Sequence, residues 1–461
     1  MHTLRLAIAP CYLLLCLLLG GASAGGIWAN MVLQLLALPI ILAAILTTPT
    51  TPVPTSGQQL LAVLLLMIAV ISLQLVPLPP AIWTELPGRS AIVNGFQVLG
   101  QAVPWLTLSL APYETISSAL WLLPAAAILL AVVRLRAFKA GWIAWVLISV
   151  ALVSVAVGVM QLGGGKASGW YFYAVTNYGA ATGLFANANH LATLLVCTIP
   201  FLTALYLQAR DKGQSMRRNS GMLVVLAGAV GAVFVGIVVN RSLAGAGLSL
   251  IVLAASALMI LSRRRAIPKW LLPIVPLLIV GALVVLMVAP LGNNLTGSDA
   301  RGSEESRLTS FSRSSVAAAD YAPVGSGIGT FQEVYRTFEN PDTIERVWMN
   351  HVHNDYIELA VETGAPGLLV LMLFLYWWAR QAIRIWQSRE RDHFALAATV
   401  ASAAILIHSA VDYPLRTAAI SALFAACVAL MSQPRPAARS QRTEPKLAGD
   451  AQRSPRHLSA D

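Results

Sequence analysis

Two histidines that are one residue apart lie in the stretch NHVHNDYIELAVETGAPGLL, which begins at Asn350. Histidine exchanges protons near neutral pH because its ordinary pKa is about 6.5. His351 and His353 are therefore candidates for a general base that removes a proton from a hydroxyl group. A second interpretation remains open, in which the segment is an amphipathic helix at the membrane surface and its histidines only form hydrogen bonds.

A metal site is the weaker interpretation of the same histidines. On a helix, residues at i and i+2 point in different directions, so His351 and His353 would not chelate one ion together. The sequence offers no cluster of cysteines or carboxylates that would complete a zinc site. We therefore expect neither a metal nor a cofactor.

Three arginines are suited to bind an anion. Arg241 lies in a short turn between two apolar runs, and Arg307 and Arg313 follow the acidic residues Glu304 and Glu305. A guanidinium group matches the geometry of phosphate oxygens. The alternatives are that Arg241 reaches lipid headgroups and that Arg307 and Arg313 form ordinary surface ion pairs.

Other polar residues lie near the ends of apolar runs. Asn354 follows the second histidine and could orient an imidazole or a sugar. Asp412 either pairs with an arginine of the site or is a polar residue at a helix end. Asn187, Asn189 and His190 are expected to serve packing and loop anchoring.

The residues around the histidines predict a short helix outside the membrane. Asn350 is a possible N-cap, Gly364 suits a helix end, and Pro366 suits the first turn of the next helix. On that helix His353 would lie above Ile357 on an apolar strip.

The composition indicates a membrane protein. The chain has 461 residues, of which 57% are hydrophobic and 11% charged, against about 25% charged in a soluble domain. Long apolar runs reach the roughly 17–20 residues that cross a bilayer as a helix, and isolated strands would leave backbone groups unsatisfied in lipid. We predict an all-α polytopic protein with about twelve transmembrane helices. They are centred near residues 12, 38, 68, 126, 150, 197, 229, 252, 280, 375, 402 and 424.

The basic residues predict the orientation. They cluster after the fourth, sixth, eighth and tenth spans and in the C-terminal tail, which all fall on one side if the count is right. The positive-inside rule makes that side cytoplasmic, and both termini with it. The formal net charge of +11 then reflects topology and predicts no nucleic-acid partner.

The sequence divides into four predicted regions. Residues 1–290 hold spans one to nine with external loops, and residues 291–365 form a large external loop containing short helices. Residues 366–432 hold spans ten to twelve, and residues 433–461 form a disordered basic cytoplasmic tail. The N-terminal run before GASAGG is expected to stay as the first span. Because all four cysteines lie in apolar runs, no disulfide is expected.

Several motifs together resemble the bacterial O-antigen ligase and O-antigen polymerase superfamily. The histidine motif is His353-Asn354, nine residues, Gly364, two residues and Gly367. GLFANANHLA from Gly183, SRLTSF, YAPVGSGIGTF and HSAVDYPLR resemble further family segments in the same order. NRSLAGAGLSL resembles a Ser-Arg-Gly turn, with an asparagine and a serine on either side of the arginine.

The resemblance implies a GT-C-like integral-membrane glycosyltransferase with its active site on the periplasmic side of the bacterial inner membrane. The donor would be a glycan on undecaprenyl diphosphate, and the acceptor a saccharide on the lipid A core or on a lipid-linked repeat unit. His353 would be the catalytic base, since the Asn and Gly spacing belongs to it and not to His351. Arg241, Arg307 and Arg313 would bind the diphosphate.

The sequence leaves two questions open. The extended external segments slightly favour a polymerase over a ligase, because they suit a large saccharide acceptor. A lipid-linked glycan transporter or flippase is the alternative from another class. Transporters usually carry internal repeats and ionisable residues near the middle of the bilayer, whereas here the ionisable residues gather on the predicted outer side.

Overall fold

The computed structural model describes residues 2–49, 51–211, 216–262, 298–339, 349–388 and 390–433. These residues are mostly helical, with one two-stranded antiparallel sheet. The helices are α1 His2–Leu19, α2 Trp28–Leu46, α3 Thr55–Gln74, α4 Pro80–Trp83, α5 Ser90–Val98, α6 Pro112–Leu120, α7 Leu122–Val133, α8 Ala140–Gly163, α9 Ala188–Asp211, α10 Met216–Asn240, α11 Leu243–Leu261, α12 Ser298–Asp320, α13 Phe331–Phe338, α14 Asp355–Gln387, α15 His393–His408 and α16 Ala418–Met431. The strands are β1 Pro77–Leu78 and β2 Leu106–Thr107.

The structure confirms an all-α polytopic architecture. Eight stretches of described helix are long and apolar enough to cross a membrane, and α1, α15 and α16 are shorter apolar helices. Eleven of the predicted span centres fall within these helices. The predicted ninth span, near residue 280, and the tail from residue 434 lie outside the described residues. The count of about twelve is therefore not confirmed.

Helix α9 lies at the centre of the described bundle. Most of its side chains are buried, and it packs against α8, α10, α11 and α15. Its N-terminus carries Asn189 and His190, so the most buried of the eight candidate membrane spans among the described residues also presents polar side chains at one end. A rigid element of this kind is a suitable support for a functional site.

Helix α14 contains a break that the sequence predicted. Gly364 has φ 55° and ψ −147°, a conformation inside the helix that only glycine adopts readily. A Cβ atom at this position would lie 2.2 Å from the carbonyl oxygen of Pro323. The short segment Asp355–Thr363 is thereby separated from the long apolar part of α14, and Pro366 follows in the next turn.

The start of that helix differs from the prediction. The N-cap is Asn354 and not Asn350, and its Oδ1 accepts the amide protons of Tyr356 and Ile357. His353 thus precedes the helix and does not stack above Ile357. Asn350 instead accepts a hydrogen bond from the Gln332 side chain at 2.7 Å.

The glycine-rich loop before α13 is a packed turn. Gly325, Gly327 and Gly329 all have positive φ. Their amides donate to protein acceptors, namely the carbonyls of Tyr321 and Glu362 and the Glu362 carboxylate. A Cβ atom on Gly327 would lie 2.3 Å from Oγ of Ser109. The close approach that these glycines permit is therefore to the protein itself.

Candidate active site

His353 is held by a buried carboxylate. Its Nδ1 lies 3.1 Å from Oδ1 of Asp412, in the turn after α15. The Asp412 side chain is fully buried, whereas 23% of the His353 side chain is exposed. A carboxylate at Nδ1 fixes the imidazole tautomer that carries a proton on Nδ1. Nε2 is then left as the basic nitrogen, and within the described residues it makes no hydrogen bond.

Asp412 is anchored on several sides. Its Oδ1 also accepts the amide proton of Tyr413 at 2.9 Å, and its Oδ2 accepts from Nδ2 of Asn189 at 2.6 Å. Burial alone would raise the pKa of Asp412, but the hydrogen bond with His353 and the nearby imidazoles of His190 and His408 lower it well below its ordinary value. Asp412 is therefore a carboxylate at neutral pH and stabilises a positive charge on His353.

The hydrogen-bond chain continues to the turn that carries Arg241. Oδ1 of Asn189 accepts from Oγ of Ser242 at 2.8 Å, and Ser242 caps α11. On the other side of the arginine, Nδ2 of Asn240 donates to the carbonyl oxygens of Ala181 and Ala188. The two residues that differ from the Ser-Arg-Gly pattern are thus buried anchors of the turn. Arg241 between them has φ 59° and an exposed side chain.

A second pair of imidazole and carboxylate lies beside the first. Nδ1 of His351 is 2.8 Å from Oε1 of Glu358, and Oε2 of Glu358 accepts the amide proton of Val352 at 3.0 Å. Nε2 of His351 is buried and has no hydrogen-bond partner within the described residues. His351 is also less exposed than His353, at 14%. The geometry therefore favours His353 over His351 for contact with a substrate hydroxyl group.

Tyr413 brings the two pairs together. Its ring centroid lies 4.4 Å from that of His351, 4.8 Å from that of His353 and 5.1 Å from that of His190. His190 is buried, and neither of its ring nitrogens has a hydrogen-bond partner in the described part of the chain. The four rings pack at the junction of α9, the segment before α14 and the turn after α15.

Arg416 pairs with three acids of α14. Its guanidinium nitrogens lie 3.6 Å from Asp355, 3.4 Å from Glu358 and 3.0 Å from Glu362. None of these four residues was predicted to belong to the site, because each one alone resembles an ordinary surface charge. The i, i+4 spacing of Glu358 and Glu362 was the available signal. It placed both on one helix face but did not reveal a partner from the turn.

Among the other predicted residues, contacts bring Asp412 and Asn354 into the site. Asp412 pairs with His353 and not with an arginine. Asn354 caps the helix and donates to the Ala410 carbonyl at 2.8 Å, so it joins the two site segments. Arg313 is partly exposed on α12 and has no ion pair within the described residues. Arg307 lies on the same helix, where only the backbone is described. No group of three His, Cys, Asp or Glu in the described ranges could hold a metal ion.

Comparison with known proteins identifies part of the chain. Residues 228–372 match the family described as O-antigen ligase. This range includes Arg241, His351 and His353, whereas Asn189, Asp412 and Arg416 lie outside it. No curated protein matches the chain.

Proposed function

We propose that this multi-pass membrane protein transfers a glycan from undecaprenyl diphosphate to a saccharide hydroxyl, as a member of the O-antigen ligase/polymerase superfamily. The match of residues 228–372 to the O-antigen ligase family supports this proposal. The family supports glycan ligation or polymerisation in a membrane. The observation that carries the proposal is the pairing of His353 with the buried carboxylate of Asp412, since an imidazole whose Nδ1 is held by a carboxylate is a suitable general base at Nε2.

The proposed reaction is a single displacement at the anomeric carbon. The acceptor hydroxyl loses its proton to Nε2 of His353 as its oxygen attacks. The new glycosidic bond forms while the bond between the anomeric carbon and the phosphate oxygen breaks, and the electron pair leaves with undecaprenyl diphosphate. Such a displacement inverts the anomeric configuration. Asp412 stabilises the imidazolium that forms.

Negative charge develops on the leaving diphosphate, and positively charged side chains are needed to stabilise it. Arg241, Arg307 and Arg313 are the residues that we assign to it, on the resemblance to the family. Arg241 is supported further by its exposed side chain and by its turn, which hydrogen bonds join to Asn189 and Asp412. Guanidinium groups stabilise the developing charge without a metal ion. We place this chemistry on the periplasmic face of the inner membrane, where the predicted topology puts these segments.

The direct test is turnover by the purified protein in proteoliposomes with a lipid-linked glycan and a saccharide acceptor. We expect a new glycosidic bond and free undecaprenyl diphosphate. Movement of the lipid-linked glycan across the bilayer without a new bond would contradict the proposal and indicate a flippase. Denatured protein and a His353→Ala variant serve as controls.

A ligase and a polymerase differ in their acceptor, which is a saccharide on the lipid A core for the ligase and a lipid-linked repeat unit for the polymerase. We favour a polymerase, because the long external segment suits a large saccharide acceptor. Deletion of the gene followed by gel analysis of lipopolysaccharide and exopolysaccharide distinguishes them. Products with a single repeat unit would indicate a polymerase, whereas loss of every long chain from lipid A would indicate a ligase.

A further inference from the structure

Arg416 lies in the single turn Pro414–Arg416, four residues after Asp412. Each of its three guanidinium nitrogens lies nearest to a different acid of α14: Nε to Asp355, Nη1 to Glu358 and Nη2 to Glu362. The guanidinium group of arginine presents three nitrogens in one rigid plane, whereas lysine presents one. The turn that carries Asp412 is thereby joined to the helix that follows His353.

Each of the three acids holds another part of the site. Glu358 holds His351 and the Val352 amide. The amide of Asp355 donates to the Ser409 carbonyl at 2.9 Å, next to the turn. Glu362 accepts the Gly329 amide at 2.8 Å. Contacts of Arg416 therefore reach the histidine segment, the glycine-rich loop and the turn itself.

The electrostatic balance makes this arrangement depend on Arg416. Glu358 and Glu362 are almost fully buried, and Asp355 is 10% exposed. Burial would lower the pKa of Arg416, but the surrounding acids Glu358, Glu362 and Asp355 raise it above its ordinary value, so the guanidinium stays charged. Removing one partner from such a buried group leaves uncompensated charge and is strongly destabilising.

We infer that Arg416 is a positioning residue of the active site, which holds His353 opposite Asp412 by clamping the three acids of α14. This inference rests on the proposed glycan transfer. Arg416 is not assigned to the diphosphate, because each of its nitrogens faces a carboxylate. Its effect on the reaction passes through His353.

The decisive variant is Arg416→Lys, which keeps the charge but not the planar fork. A displacement of about 1 Å in a catalytic group lowers the rate on the order of 10²-fold. We therefore expect kcat to fall by roughly 10- to 100-fold while the KM for the lipid-linked donor changes less than about twofold. Arg210→Lys, on an exposed arginine at the far end of α9, is the matched control and should retain the wild-type kcat. A raised donor KM with unchanged kcat would overturn the inference and make Arg416 a diphosphate ligand.

A double-mutant cycle distinguishes positioning from general destabilisation. If Arg416 acts through His353, Arg416→Lys should cause no further loss of turnover in a His353→Ala background, since residues that act as a unit are not additive. If the double variant lost turnover by the product of the two single losses, the inference would be contradicted.

A second measurement does not depend on activity. Hydrogen exchange of the purified Arg416→Lys protein should become faster in residues 351–363 and 409–416 and remain unchanged in α7 and α8. Unchanged hydrogen exchange in these two segments would contradict the positioning role of Arg416. This result can be read even if the wild-type protein transfers no glycan. Absence of wild-type transfer would by itself contradict only the proposed function.

Discussion

At the scale of single residues, backbone strain is concentrated at the candidate site. His353 and Arg241 both have φ of 59°, and within the described ranges Arg136 is the other residue besides glycine with positive φ. Such a conformation costs on the order of 1–3 kcal/mol and persists where surrounding contacts enforce it. Asp412 and the Asn354 cap provide these contacts at His353, and Asn240 and Ser242 provide them at Arg241. His353 and Arg241, which the sequence motifs single out, thus also share a strained backbone, and such strain is typical of functional sites.

The first prediction ranks the two histidines. His353→Ala should lower turnover by about 10²–10⁴-fold, the usual contribution of general-base catalysis, and should leave donor binding intact. His351→Ala should be milder, because Nε2 of His351 is buried. Turnover and donor affinity of both purified variants provide the measurement, with folding checked by thermal unfolding. Near-normal turnover of His353→Ala, or greater sensitivity at His351, would refute the ranking.

The second prediction concerns diphosphate binding. Arg241→Ala and Arg307→Ala should each weaken donor affinity as well as turnover. Arg241→Lys should restore affinity only in part, because an ammonium group cannot replace two parallel hydrogen bonds. Binding of the lipid-linked donor to each variant is the measurement, with Arg210→Lys as the control. Unchanged donor affinity in the alanine variants would indicate that these arginines form surface ion pairs or contact lipid headgroups instead.

The third prediction is a pH dependence of stability at Asp412. Its pKa in the folded protein is lowered. The carboxylate therefore stabilises the fold at pH values above its unfolded-state pKa, about 3.9, and this stabilisation is lost as the pH falls through the lowered folded value. Asp412→Asn should thus unfold at a lower temperature than wild type at pH 7, and the difference should shrink below about pH 4. Unfolding midpoints in detergent between pH 7 and pH 3 test this, and a difference that does not vary with pH would contradict it.

At the scale of elements, the sequence predicted the helix break but not the helix start. Gly364 and Pro366 act locally, through their own allowed conformations, so they could be recognised from the sequence. The choice between Asn350 and Asn354 as N-cap depends on distant groups. Asn350 is engaged by Gln332, and Asn354 also donates to Ala410. Spacing within one segment cannot supply this information.

The fourth prediction tests the break in α14. Gly364→Ala should destabilise the protein, because alanine is strained at φ 55° and its Cβ would lie 2.2 Å from the Pro323 carbonyl oxygen. Gly231→Ala is the matched control: Gly231 lies in α10 with nothing within 4 Å of the added Cβ, so the change should be neutral or stabilise the helix by up to about 1 kcal/mol. Thermal unfolding in detergent measures both. Equal midpoints for the two variants would show that the break tolerates a side chain.

At the scale of the whole molecule, hydropathy predicted where helices lie but not which residues meet. Span centres follow from the local composition of each run, since each must be apolar over its own length. The site is built from contacts between distant residues: Asn189 and Asp412 are separated by 223 positions, and Arg416 and Glu362 by 54. His353, Asp412 and Arg241 could nevertheless be proposed from the sequence, because motif resemblance carries information that periodicity lacks. Arg416 belonged to one of those motifs but had no assigned partner.

The fifth prediction tests the orientation of the whole chain. Positive residues predict that Ser388, after the basic end of α14, faces the cytoplasm and that Ser303, on α12, is external. Cys11 is exposed and the other three cysteines are buried, so single cysteines should be introduced into a Cys11→Ser background. An impermeant maleimide applied to intact spheroplasts should label Ser303→Cys, and should label Ser388→Cys only after permeabilisation. The reverse pattern would invert the topology and place His353 on the cytoplasmic side. If neither were labelled before permeabilisation, the external placement of residues 291–365 would be contradicted.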